Sequence, residues 1–241
     1  LRNDVVKVPL VSVGGEWKAV IPSFNQDSLE VVLIDSVNFY SVNELKPIGD
    51  NGVFNNFSTV TSIKPYVIIT HESLMAGARL YAEYRATKTY DTLSAYDTLV
   101  VDVQELYYQF GGGIEKHPLS IRRFCKQAIE LWPNEPSHLF LIGKSVRDIN
   151  ESSAGSRQNI ASYKRNLVPS YGYPSSDNHF TAGLSFGSGA FVIPTGRLSV
   201  TQNYQINEYL AKVKHYENQQ DPYLNYTISE KEWQKNILHF G

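Results

Sequence analysis

Cys125 is the only thiol in the chain and therefore the first nucleophile to consider. A working thiolate needs a partly exposed, electropositive or histidine-paired setting. Cys125 instead falls between Phe124 and Ala128 on a helical apolar stripe, the position of a packing residue. Gly143-Lys144-Ser145 has the tail of a phosphate-binding loop, but such a loop needs a glycine five positions before Gly143, and His138 stands there. Gly111-Gly112-Gly113 and Gly187-Ser188-Gly189 do not sit between a strand and a helix, as a dinucleotide fingerprint requires, and read as caps and turns.

Two polar groups remain. His71-Glu72 opens a helix after a buried strand, at the end of an α/β sheet where sites gather. A zinc-protease helix would need a second histidine at position 75, which is Met75, so His71 is expected as an ordinary helix-start residue. Ser176-Asp177-Asn178-His179 offers an Asp, an Asn and a His together, which suits either a cation or substrate contact or a turn. Turn chemistry is the commoner use, and metal binding near Asp177 stays open on sequence alone. No residue is assigned as catalytic, cofactor-binding or metal-binding.

The elements that would position these residues change character along the chain. Residues 1–60 are expected to form a β-rich leader. Its runs are Val5–Val11, Trp17–Ile21 and Leu29–Ile34, separated by Gly14-Gly15 and by Pro22–Ser28. Pro47–Thr61 reads as a linker. From residue 62 onward, Tyr66–Thr70, Leu99–Val103 and Leu139–Gly143 are short continuous apolar runs, the signature of strands buried on both faces.

Between them lie helical patterns. One carries Leu74, Ala78, Tyr81, Ala82 and Arg85. Another begins at Pro118 with Ile121, Phe124, Cys125, Ala128 and Trp132 on one face. A polar stretch from Ser145 to Ser188 interrupts the rhythm and is expected to be functional or mobile. Phe191–Ile193 is expected to resume the sheet. Ser199 and Gln202 suggest a capping box opening a helix with Ile206, Leu210, Val213 and Tyr216 on its stripe, and Ile237–Phe240 reads as a last strand. The fold class expected is α/β, a mainly parallel, three-layer sheet with helices on both faces, preceded by the small β-rich segment.

Composition narrows the function. The 241 residues are 42% hydrophobic and 12% aromatic, enough for a buried core, and the net charge of −2 argues against an electrostatic grip on nucleic acid or acidic lipid. One cysteine excludes an internal disulfide framework and a multi-cysteine metal site, and no apolar run approaches the roughly 20 residues that span a bilayer. The chain starts at Leu1 and ends on an apolar run, so it is expected to be a piece of something longer, without its natural start and any signal peptide that preceded it.

Several segments together resemble the gingipain-type cysteine peptidases, peptidase family C25. They are Val67–His71 with Arg79–Arg85, Val100–Gly113, Ile121–Phe124 and His138–Gly143, then Ser176–Phe180, Gly196–Val200 with Lys212–Glu217, and Trp233–Leu238. They occur in the family's order from about Ser62 to the end of the chain. Two places depart from the family pattern. Lys144 stands where Gly143 is usually followed by Asp, and Ala190–Thr195 replaces an Asp-led strand.

The resemblance implies a caspase- or gingipain-like fold and a polypeptide substrate. It also implies a secreted or cell-surface bacterial protein, related to the sortase-like peptidases of type IX secretion, with no cofactor. In that family the catalytic histidine lies in a Gly-His-Gly loop and the nucleophile on a later strand, both after the Trp233–Leu238 segment. No Gly-His-Gly occurs in these 241 residues, so neither role carries over to any position here. The chain is expected to be the N-terminal part of such a domain, partnered by substrate or by the C-terminal remainder of the same protein. The alternative is a non-catalytic binding or structural module that keeps the fold. A flavodoxin-like nucleotide or flavin binder also fits the βα rhythm but lacks a phosphate loop.

Overall fold

The computed structural model describes residues 8–21, 52–87, 95–146, 159–184, 190–220 and 226–236. The chain divides into two compact units, Leu1–Leu45 and Lys46–Gly241. In the first, strands β1 (Val11–Val13) and β2 (Glu16–Lys18) form an antiparallel hairpin. Gly14 and Gly15 sit at its turn with φ of 64° and 83°, a conformation glycine adopts without steric penalty. The run Leu29–Ile34 and the turn Pro22–Ser28 lie outside the described residues, as does the first part of Val5–Val11.

The second unit is built on a four-stranded parallel sheet in the order β4-β3-β5-β6. The strands are β3 (Pro65–Thr70), β4 (Asp97–Asp102), β5 (His138–Ile142) and β6 (Thr195–Leu198). Register pairs Thr70 with both Asp102 and Ile142, and Ile142 with Leu198, so the carboxyl ends of all four strands align. Every residue of β3 is buried, as its unbroken apolar run requires. Its alternating side chains feed two cores.

On one face Val67 and Ile69 pack with Val101, Leu139 and Leu141 beneath helices α2 (Val103–Phe110) and α3 (Pro118–Leu131). On the other, Ile68, Phe140 and Ile142 meet α1 (Met75–Thr87) and α5 (Asn203–Gln220). The α/β expectation holds, with helices on both faces. The short helices α4 (Ile160–Arg165) and α6 (Ile228–Lys231) complete the α-helices among the described residues.

Four local expectations change. The linker assigned to Pro47–Thr61 contains Phe57, which is buried against Phe110 and Phe124, and the Trp132 indole donates to its carbonyl at 2.6 Å. Phe191–Ile193 is not a sheet strand. The fourth strand starts at Thr195, while Phe191 makes one bridge to Ala182. Pro194 contributes only its carbonyl, to Leu139 N–H. The helix after it begins at Asn203, with the Gln205 side chain accepting from Thr201 and Gln202 N–H, so the cap lies three residues beyond Ser199. Tyr216 is exposed, and Glu217 turns inward instead. The expected strand Ile237–Phe240 lies outside the described residues.

Glu217 joins the two helices of that face. Arg85 donates to it at 2.6 Å and to the Tyr81 hydroxyl at 2.9 and 2.8 Å, while the Tyr84 hydroxyl donates to its second oxygen at 2.5 Å. Both charged side chains are at least four-fifths buried, so removing one strands the other. Arg85→Ala is expected to lower stability by about 3 kcal/mol, read as a lower urea midpoint at unchanged slope.

Beside this network His138 stacks on Tyr66 at 5.1 Å, its Nδ1 buried without a hydrogen-bond partner. Burial, and then the charges of Arg85 and Lys64, hold its pKa below the ordinary 6.5. The unfolded chain therefore takes up this proton first as pH falls. Stability is full above pH 6.5 and declines from there down to the depressed folded value, below which the loss stops. His138→Phe should remove this part of the pH dependence in urea titrations across that window.

Candidate functional site

In this strand order the chain leaves β3 toward β4 on one side, and the later strands lie on the other. The change of direction places a topological switch point between β3 and β5 at the carboxyl end of the sheet, where α/β proteins form their clefts. Thr70, fully buried, closes the gap between these strands by donating its hydroxyl to Ile142 O at 2.9 Å. Beyond β5 the chain leaves through Gly143 at φ 144°, a value strongly favouring glycine. A Cβ there would stand 2.9 Å from Val168 Cγ2. Lys144 then pairs its N–H with Val200 O and its carbonyl with Leu167 N–H and Val168 N–H. This loop carries backbone pairing to neighbouring chain segments, which agrees with reading Gly143-Lys144-Ser145 as something other than a phosphate cradle.

Arg197, in the middle of β6, organises the rest. Its Nη1 donates to Gly143 O at 2.7 Å and to Val168 O at 2.8 Å. Its Nη2 reaches Pro169 O at 3.1 Å and Asp177 Oδ1 at 2.8 Å, and its Nε reaches Asp177 Oδ2 at 2.7 Å. All five guanidinium donors are used, and the fork meets the Asp177 carboxylate with two bonds. The long polar segment is thereby tied at Val168, Pro169 and Asp177 onto the end of the sheet.

Asp177 opens a 3-10 turn, Asp177–Phe180, that buries Phe180 completely. The carbonyl of His179 accepts from Arg122 at 2.7 Å. The Ser176–His179 group is thus a turn with its carboxylate engaged by Arg197. Among the described residues no cluster of three or more His, Cys, Asp or Glu side chains has the arrangement of a metal site.

His71 precedes a 3-10 turn, Glu72–Leu74. Its Nδ1 accepts from Ser73 N–H at 3.2 Å and lies 2.9 Å from the Ser73 hydroxyl, so it acts as a cap, as expected. On the neighbouring strand Asp102 caps α2 by accepting from Gln104 N–H at 3.0 Å. Burial raises the Asp102 pKa, partly offset by that N–H and by His71. Behind it the Tyr107 hydroxyl and Gln104 Nε2 are buried without hydrogen-bond partners. Gly111 ends α2, and Gly112 and Gly113 follow at φ 64° and 77°, which confirms them as cap and turn. Gly187-Ser188-Gly189 lies outside the described residues.

Cys125 is 2% exposed, enclosed by Val67, Phe124, Ala128, Pro136, Leu139 and Ile193. Burial pushes its thiol up to about 12. Among the described residues no histidine makes a hydrogen bond to it. The structure therefore brings together Thr70, Gly143, Lys144, Asp177 and Arg197, and leaves Cys125 in the core on the α3 side of the sheet.

Sequence reasoning assigned no role to Arg197. Its available signal was a charged residue inside a strand next to Gly196, in a chain whose other parallel strands have uncharged interiors. Arg197→Lys keeps the charge but loses the fork. It is expected to lower stability by about 2 kcal/mol, measured by urea unfolding, with local protection from hydrogen exchange lost over residues 166–181.

The sequence model of peptidase family C25 matches residues 60–241. No curated protein and no solved structure matches the chain.

Proposed function

The chain belongs to peptidase family C25, and from that premise we propose that it is the sheet-bearing portion of a secreted or cell-surface bacterial cysteine endopeptidase. Its reaction is peptide-bond hydrolysis or transpeptidation, with the nucleophilic cysteine and its histidine outside these 241 residues. The substrate class is polypeptide. No helix among the described residues is long and apolar enough to cross a membrane.

The burial of Cys125 carries this reading. A thiol raised to about 12 and walled by apolar side chains supplies almost no thiolate at neutral pH. In a complete domain a histidine-paired thiolate would attack the carbonyl carbon and backbone N–H groups would hold the oxyanion. The residues here contribute a rigid platform to that chemistry. The switch point, locked by Thr70 and by the five bonds of Arg197, offers a firm wall at the carboxyl end of the sheet.

A second reading, a non-catalytic peptide-binding or structural module, draws support from the same platform. Lys144 stands where the family pattern has Asp, and its backbone N–H and carbonyl are already committed to Val200, Leu167 and Val168.

The test is a fluorogenic-peptide and casein assay on the purified chain under reducing conditions. No thiol-dependent cleavage is expected, and Cys125→Ala should change nothing in the assay. Cleavage by the chain that disappears in Cys125→Ala would overturn the assignment. Adding the downstream reading frame separates the two readings. The peptidase reading expects activity to appear with it, and the module reading expects none.

A further inference from the structure

Helix α4 meets the turn that joins α2 to α3, and none of its own residues is buried. Six residues are too few for a helix to stand on its backbone bonds alone, so tertiary contacts must place it. Three of them converge on Tyr163. Its hydroxyl donates to Glu115 Oε2 at 2.5 Å, and its ring faces the Lys116 ammonium, 3.8 Å from the centroid. Lys116 Nζ also donates to the Tyr163 carbonyl. Such polar and cation–π contacts open at lower cost than a buried apolar face.

Lys116 makes these contacts from a strained backbone. Its φ of 56° makes it the one non-glycine residue in the left-handed region among the described residues. That conformation costs free energy for any residue with a Cβ, and the contacts with Tyr163 offset it. Breaking them lets the turn relax.

The chain after α4 is fixed instead. Asn166 is buried at the helix C-cap, and its Oδ1 accepts from Val146 N–H at 3.2 Å. Leu167 N–H and Val168 N–H donate to Lys144 O at 2.8 and 3.2 Å. A polar latch at Tyr163 beside an anchored cap is the geometry of a hinged element.

Close to the latch lies a group with a reason to be uncovered. The Tyr107 hydroxyl is buried without a hydrogen-bond partner. Burial, and then the neighbouring Asp102, Tyr163 and Glu115, raise its pKa. An unpaired buried hydroxyl is a cost of the closed arrangement that opening removes.

We propose that α4 is a flap, hinged at Asn166 and latched through Tyr163 to Glu115 and Lys116, whose opening uncovers the Tyr107 hydroxyl behind Asp102. The proposal goes beyond the peptidase reading and does not depend on it.

The experiment compares the full chain with Lys116→Gly, which removes the ammonium while suiting the left-handed backbone. Hydrogen exchange of the helix-bonded α4 amides is expected to accelerate about tenfold, as is nitration of Tyr107 by tetranitromethane, mapped by mass spectrometry. The urea midpoint should not fall, and Tyr81, buried on the other face of the sheet, should nitrate at its original rate. Tyr163→Phe keeps the ring and carbonyl and loses only the Glu115 bond, so a smaller acceleration of both readouts is expected. Unchanged α4 exchange in both variants overturns the proposal. So does α4 opening with no faster Tyr107 nitration, which would mean that the helix covers something else. A midpoint that falls while Tyr81 and Tyr107 accelerate together would also overturn it, by making the opening global.

Discussion

Strand β3 has no solvent face. All six of its residues are buried, and parallel neighbours on both sides take its backbone bonds, so each surface of the sheet must be covered by helices. From this follow the two core layers and the placement of α1 with α5 on one side and α2 with α3 on the other. The same constraint fixes the fate of the only cysteine. The face of α3 that covers β3 must be apolar, and Cys125 lies on it between Phe124 and Ala128. Burial follows from the covering requirement, and the loss of thiolate character follows from burial.

Polar chemistry is pushed to the ends of the strands. At the carboxyl end Arg197 of β6 serves as an anchor, since every one of its donors goes to a carbonyl or to Asp177. At the amino end Arg85, Glu217 and a group of tyrosines join the helices above the sheet. These two networks are built alike: a planar guanidinium paired with a carboxylate, largely out of water, with its remaining donors satisfied. Each sets the position of a segment that apolar packing alone would leave free to slide. The Arg197 network seats the long loop, and the Arg85 network seats the last turn of α5.

The sequence made some of this legible and hid the rest, for physical reasons. Continuous apolar runs revealed β3, β4 and β5, and the helical stripe of α3 came through residue by residue, because two-sided burial leaves a strong pattern. β6 was misplaced by a few residues. It is a short edge strand, Thr-Gly-Arg-Leu, whose polar side chains serve the loop rather than the core, and the more apolar Phe191–Ile193 drew the assignment away from it. Phe57 was hidden because a single aromatic residue in a Gly- and Asn-rich stretch has no period to mark it. The Arg197–Asp177 pair spans 20 positions and could not be read from local spacing. Family resemblance supplied the peptidase reading, and the burial of Cys125 was expected from the stripe alone.

The most direct measurement of the central claim is the rate at which Cys125 reacts with a disulfide reagent at pH 8, native against fully denatured. Moving a thiol from its ordinary 9.0 to about 12 lowers the thiolate fraction about a thousandfold, before any steric block is counted. The native chain is therefore expected to react at least about a thousandfold more slowly than the denatured chain. A native rate equal to or faster than the denatured one would show an open, activated sulfur and contradict the account.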